Sequence, residues 1–210
     1  RLVEDRSMTL LHRINSAAAL LAVAACSGEP AQPTPLTDSA WTLDGDASTL
    51  SYVSIKAGEI AETNTFETLG GGVAQDGTTT VTIDLASVST GVDIRDERMR
   101  EIFFVVADNP EATITATIDP ASFEALGVGE STQTSLEGTL SLKGVEAPVA
   151  AQVTVTRSGE DRILAVADAP VIVNAASFEW IDELAQLQEL AGLPSITPVV
   201  PVTFALTFER

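Results

Sequence analysis

Val202-Thr-Phe-Ala-Leu-Thr-Phe-Glu209, the stretch just before the final Arg210, decides the fold. Val202, Phe204, Leu206 and Phe208 fall on one side of an extended chain, and Thr203, Ala205, Thr207 and Glu209 on the other. Side chains of a strand point alternately to its two faces, so this pattern describes a β-strand with one dry and one wet face. The same period recurs upstream. Val81, Ile83 and Leu85 alternate with Thr80, Thr82 and Asp84. Ile114, Ala116 and Ile118 alternate with Thr113, Thr115 and Thr117, and Leu136, Gly138, Leu140 and Leu142 with Glu137, Thr139 and Ser141. Val149, Ala151, Val153 and Val155 form a further stripe. Asp76-Gly77 and Ser158-Gly159 are turn signals between such runs.

Strands are expected near 50–56, 60–68, 79–88, 112–118, 134–142, 148–157, 162–168 and 199–208. An antiparallel set with one continuous apolar face closes into a barrel or a two-sheet sandwich. About eight strands leave an interior that side chains fill, or that holds one small ligand. Two stretches read as helices. Ile94–Phe104 is dense in charge and ends in an aromatic pair. Trp180–Ala191 places Trp180, Ile181, Leu184, Leu187 and Ala191 on one face, opposite Asp182, Glu183, Gln186 and Glu189, and Gly192 and Pro194 stop it. The expectation is a lid that completes the core.

Ahead of this pattern, nine small and apolar residues, Ala17–Ala25, lead into Cys26, the one cysteine of the chain. The run is far shorter than the ~18 residues that span a bilayer, and with Arg13 before it it fits the apolar region of a signal peptide. Val23-Ala-Ala-Cys26 resembles the lipobox of bacterial lipoproteins, in which the cysteine is acylated and becomes the new N-terminus. Met8 is the expected start, with Arg1–Ser7 an over-extended reading frame. The expected organisation is a leader over 1–25, a Pro-rich linker over 26–40 and one barrel domain over 41–210, opened by Trp41. Cys26 is then a lipid anchor, and Ser27 beside it resembles the signal for outer-membrane sorting, which places the protein in the periplasm.

Composition excludes a good deal of chemistry. The leader holds Arg1, Arg6, Arg13, Glu4 and Asp5, so of 11 basic and 30 acidic residues 8 and 28 lie beyond it, a formal charge of −20. No basic stripe exists to displace phosphate counterions, so nucleic acid is not an expected partner. Beyond His12 there is no histidine, and beyond Cys26 no thiol. This removes Ser-His-Asp and Cys-His catalysis, His/Cys zinc sites and any disulfide. Carboxylate chemistry remains, and no catalysis and no metal are expected.

The local clusters have plain readings. Asp44-Gly-Asp46-Ala-Ser48 starts like a calcium loop, but Thr49 and Ile55 stand where such a loop needs glycine and glutamate, so a turn between strands is expected. Gly70-Gly71-Gly72 lacks the Lys-Ser/Thr of a phosphate loop and reads as a flexible connection. Asp93, Asp96, Glu97 and Glu101 interleave with Arg95, Arg98 and Arg100, which describes a solvated, self-paired helix face. Lys56 is expected to point outward and block a strand edge.

Three stretches, in order, carry a family resemblance. The first is Ile83-Asp-Leu-Ala-Ser87-Val-Ser-Thr90-Gly91 running into Arg95-Asp96, Phe103-Phe104 and Pro110-Glu111-Ala112. Gly138-Thr-Leu140-Ser-Leu142-Lys-Gly144-Val145-Glu-Ala-Pro148-Val149 is the second, and the opening Trp41-Thr-Leu43-Asp44 with Ser48 the third. Together they resemble the YceI-like lipid/polyisoprenoid-binding family. The chain departs from it at Asn174-Ala-Ala-Ser-Phe178, where the family often has Arg-x-Asp-Phe, and in the helix Trp180–Ala191.

The resemblance implies an all-β, lipocalin-like antiparallel barrel with one or two short capping helices. It also implies a long apolar ligand threaded through the interior, an isoprenoid-type lipid or a quinone. The inward stripes then offer Val81, Ile83, Leu85, Ala116, Leu140, Ala151, Val153 and Phe204 as candidate lining, and the family adds Phe103 and Phe104. Small inward residues (Ala116, Gly138, Ala151) suit a hollow barrel and a tightly packed one equally. The rival to a lipid carrier is a structural or interaction lipoprotein whose filled barrel docks to an envelope complex. A polar ligand head is expected at the mouth, near the Ser87–Thr90 turn or Arg95.

Each buried CH₂ of an acyl chain contributes ~0.8 kcal/mol to membrane attachment. Cys26→Ser is therefore expected to move the protein from the membrane fraction to the soluble fraction. Unchanged fractionation would show that Cys26 is not the anchor.

Overall fold

The structure, a computed structural model, describes residues 34–210; the leader, Cys26 and the first part of the linker lie outside the described residues. Eleven strands make one antiparallel sheet: β1 (Trp41–Lys56), β2 (Ile60–Phe66), β3 (Leu69–Val73), β4 (Thr78–Asp84), β5 (Val88–Ser89), β6 (Glu111–Thr117), β7 (Ser131–Leu142), β8 (Val145–Gly159), β9 (Arg162–Ala167), β10 (Val171–Asn174) and β11 (Val199–Glu209). Eight of them, in the order β1-β3-β4-β6-β7-β8-β9-β11, form a wall that closes when β11 pairs β1. The expected barrel of about eight strands with short helices is the observed one.

Closure joins the two ends of the domain, with Thr42 opposite Glu209 and Tyr52 opposite Val202. The remaining strands extend the wall at the end where β1 finishes, here the distal end. There β2 pairs the second half of β1, β5 adds to β2, and β10 covers the first half of β11.

Two places expected to be irregular are strands. The Asp44–Ser48 segment is not a turn between strands but a bulge inside β1, between the pairs Asp44–Thr207 and Thr49–Ala205. Asp44 Oδ1 accepts from the amides of Asp46 and Ala47, and Ser48 Oγ accepts from the amide of Thr207, so the backbone groups released by the bulge are satisfied locally. Gly70–Gly72 is not a flexible connection but the middle of β3. A Cβ on Gly71 would lie 2.0 Å from the Thr80 carbonyl oxygen, and one on Gly72 would lie 2.3 Å from that of Trp41. The glycines let β3 squeeze between β1 and β4, and alternation cannot reveal a strand whose three middle residues carry no side chains.

The end where β1 begins, the proximal end, is closed by the last residues of the linker. Leu36 is buried, and Trp41 Nε1 donates to its carbonyl at 2.9 Å. Arg157, 1% exposed, donates to the carbonyls of Thr34 (2.8 Å) and Glu160 (3.1 Å). Arg210 donates to the Pro35 carbonyl at 2.6 Å and stacks on the Trp41 ring, 4.6 Å from its centroid.

At the distal end stand helix α1 (Asp93–Arg98), which runs on as a π-helical turn over Met99–Phe103, and helix α2 (Ile181–Leu190). On α2, Leu184 and Leu187 pack on the core and Trp180 just before it is buried. Ile181 and Ala191 do not share that face as expected; both are exposed, and Glu183 turns toward the barrel to meet Lys143 at 2.6 Å. No helix of the described residues is long and apolar enough to cross a membrane.

If β3 is held by this close approach, Gly71→Ala should cost about 3 kcal/mol or more in a denaturant titration. Gly58→Ala, also at positive φ (+76°) but in open space, should cost about 1 kcal/mol. Equal losses would show that packing against Thr80 is not the constraint.

Candidate functional site

The inward face of the barrel encloses a cavity of about 330 Å³. Its lining runs from Leu36, Trp41 and Phe123 at the proximal end to Phe66, Phe178 and Trp180 at the distal end. No charged side chain is among the lining residues; the polar ones are Thr37, Ser39, Gln75 and Thr79 toward the proximal end and Tyr52 toward the distal. Val81, Ile83, Leu85, Phe103, Phe104, Ala116, Leu140, Ala151, Val153 and Phe204 all line this cavity. Gly138 does not open room in it: a Cβ there would lie 2.7 Å from the Thr115 carbonyl oxygen, so this glycine serves the approach of β6 to β7.

Residues that alternation did not single out complete the distal half. Tyr52 and Phe66 face inward from β1 and β2, their ring centroids 5.5 Å apart. Phe66 leads to Phe104 (5.7 Å), and Phe103, Phe104 and Trp180 pack edge to face at 4.7–5.6 Å. Such contacts hold large rings in fixed orientations. The π-helical turn and the residue after it aim Phe103 and Phe104 together into the barrel. Val105 is left at φ +49°, which a β-branched residue rarely adopts. It is held there by Asn109, whose amide donates to the Val105 carbonyl at 3.0 Å and whose Nδ2 donates to the carbonyls of Phe104 and Val105. Strain of this kind persists where the surroundings over-determine it. The aromatic pair was legible in the sequence, but the π turn that aims it was not.

Charge begins where the lining ends. Lys56 is not an outward lysine: it follows Tyr52 on the same face of β1, its side chain is 16% exposed, and it pairs with Glu62. Arg95 reaches the same carboxylate at 2.6 Å and donates to Thr90 Oγ1 (2.8 Å) and to the Thr90 carbonyl (2.6 Å). Asp96 in turn accepts from the Thr90 amide (2.8 Å) and hydroxyl. The charged face of α1 is thus not self-paired as expected; Arg95 and Asp96 fasten it to β2 and to the Ser87–Thr90 turn. Burial pushes the Tyr52 phenol well above its usual range, against the opposing pull of Arg95, so it stays protonated. Among the described residues no group of His, Cys, Asp or Glu is placed to hold a metal ion.

Fold and site together define a closed antiparallel barrel around an uncharged, aromatic-capped cavity. Residues 41–208 match the YceI-like domain, and the chain belongs to that family. A polyisoprenoid-binding domain from Saccharophagus degradans, implicated in plant cell wall breakdown, is 37% identical; the match covers 82% of this chain and 99% of that one, with a TM-score of 0.79. BcnA of Burkholderia cenocepacia shares the fold at 21% identity, over 79% of this chain and 98% of its own, with a TM-score of 0.58. No curated protein matches the chain.

Glu62 sits below the ordinary glutamate value of 4.5, first through its bond from Lys56 and then through Arg95; Lys143 does the same for Glu183. Both carboxyls titrate lower in the folded chain than in the unfolded one. The pairs therefore stabilise fully above pH 4.5, and that contribution fades as the pH falls through the folded values. Both are partly exposed, so each contributes at most about 1 kcal/mol. Glu62→Gln and Glu183→Gln should lower the thermal midpoint at pH 7 and flatten its fall on acidification. An unchanged acid limb in both variants would show that these pairs do not fasten the distal elements.

Proposed function

We propose that this protein is a periplasmic lipoprotein that holds an elongated isoprenoid-type lipid inside its barrel and performs no catalysis. The observation that carries the reading is the cavity, which runs between the barrel ends without one charged lining residue. A polar molecule inside would leave its groups unpaired, at several kcal/mol each. A hydrocarbon has no such cost and gains ~0.8 kcal/mol per CH₂ taken from water. Close similarity to a polyisoprenoid-binding domain supports the same class of ligand. Acylation of Cys26 would put the barrel beside the bilayer in which such lipids are dissolved. The open space weighs against the rival of a filled barrel that only docks to an envelope complex.

The experiment is lipid extraction from protein purified out of its own membrane, with native mass spectrometry before and after. Ala151→Phe and Ala116→Phe place a ring in the cavity and should lower the lipid recovered per mole several-fold, while circular dichroism stays that of a folded barrel. Equal recovery from parent and folded variants, or none from either, would refute the carrier reading and favour the docking one.

A further inference from the structure

Both ends of the cavity are covered, so a ligand enters only where a cover moves. The two covers are attached differently. The distal one consists of α1 with its π turn, between β5 and β6, and of the 3₁₀ turn Ala175–Phe178 with α2, between β10 and β11. Each part is joined to the sheet at both of its ends, and together they bury Phe103, Phe104, Phe178 and Trp180. The proximal strap, Thr34–Ala40, lies beside the turn that carries Phe123. It precedes β1 and pairs with no strand, so among the described residues it is joined to the wall only at Trp41. Leu36, Thr37 and Ser39 of the strap face the cavity directly. Of its side chains only that of Leu36 is buried. Lifting the strap therefore exposes one leucine of its own, whereas lifting the distal cover exposes four large rings, which bury roughly 150–250 Å² each.

The strap is held by its backbone. Arg157 donates to the Thr34 carbonyl (2.8 Å), Arg210 to that of Pro35 (2.6 Å), Trp41 Nε1 to that of Leu36 (2.9 Å) and Gln75 Nε2 to that of Asp38 (2.7 Å). Thr37 Oγ1 donates to Glu124 at 2.6 Å. Release leaves neither guanidinium bare. Arg157 keeps the carbonyls of Glu160 (3.1 Å), Leu126 (3.4 Å) and Gly159 (3.4 Å), and Arg210 keeps Asp161 (2.9 Å). The carbonyls of the strap pass to water. Breaking a hydrogen bond is most costly where it strands a buried charged group, and this latch strands none.

Building on the carrier reading, we propose that Thr34–Ala40 is a lid over a proximal portal through which the apolar ligand enters and leaves, latched by Arg157, Arg210 and Gln75. In the lipoprotein reading the strap is also the last stretch of the tether. Cys26 lies eight residues before Thr34, roughly 29 Å at full extension, so the portal stays near the bilayer. Exchange through a lid that opens and recloses is proportional to the fraction of time it is open.

The test is the time course of geranylgeraniol uptake by the lipid-stripped full chain, and of its release into phosphatidylcholine vesicles, both read by native mass spectrometry. Arg210→Gln should speed uptake and release about tenfold and Gln75→Ala about fivefold, the factors that one charged and one neutral hydrogen bond are worth. Gln75 lies in the exposed turn after β3, so its variant tests the lid even if loss of Arg210 unfolds the chain. Glu183→Gln, which frees α2 from Lys143 at the opposite end, should leave both rates as in the parent. Faster exchange in Glu183→Gln alone would put the portal at the distal end and overturn the lid. Rates alike in all three variants would overturn it too, and either result leaves the carrier reading intact. No uptake by the parent would overturn the carrier reading itself.

Discussion

Everything in this molecule depends on the pairing of β1 with β11. These strands lie at opposite ends of the domain, and the register from Thr42–Glu209 to Tyr52–Val202 joins them along their length. Until they meet, the sheet has two open edges and its apolar face is in water. Once they meet, one face becomes an interior and the alternation along each strand acquires a direction. Contacts so distant in sequence are slow to form, and the loop-closure entropy is opposed only when the whole inner face is buried together.

A hollow interior works against stability, because wall atoms around empty space forgo dispersion contacts. The two ends of the barrel limit that loss in different ways. Proximally, the guanidinium groups of Arg157 and Arg210 gather backbone carbonyls of the linker and clamp it over Leu36 and Trp41. The hydrogen bonds are charge-assisted and the plug is specific. Distally, the closure is made of rings, with charge confined to the rim where Lys56, Arg95 and Glu62 meet. An apolar chain can slide along rings and aliphatic walls with little penalty, so a carrier needs its polar groups at the ends and not along the shaft. The strained Val105 and the π turn before it belong to the same economy: the backbone is distorted so that two adjacent aromatic side chains serve one cavity.

The family resemblance and the barrel were legible before any coordinates because strands with one wet and one dry face leave a period of two. Val81, Ile83, Ala116, Leu140, Ala151, Val153 and Phe204 all come from such stripes, and all line the cavity. The pattern failed where the backbone itself is the design. β3 is nearly bare of side chains, so Gly70–Gly72 resembled a loop, and the β1 bulge at Asp44–Ser48 resembled a turn because its polar side chains satisfy the backbone. Lys56, Glu62 and Asn64 were hidden for the opposite reason: they are polar residues on an inward face, and a polarity pattern assigns them to solvent.

The sequence alone therefore determined the strand period, the absence of histidine from the domain, the acidic surface and the inward stripes, since each is a local or compositional property. Tertiary structure decided that the barrel is hollow, that its ends differ, and that the linker covers one of them. Those facts depend on which strands become neighbours and how closely they approach. That is a matter of register and closure across more than a hundred residues, and no local pattern encodes it.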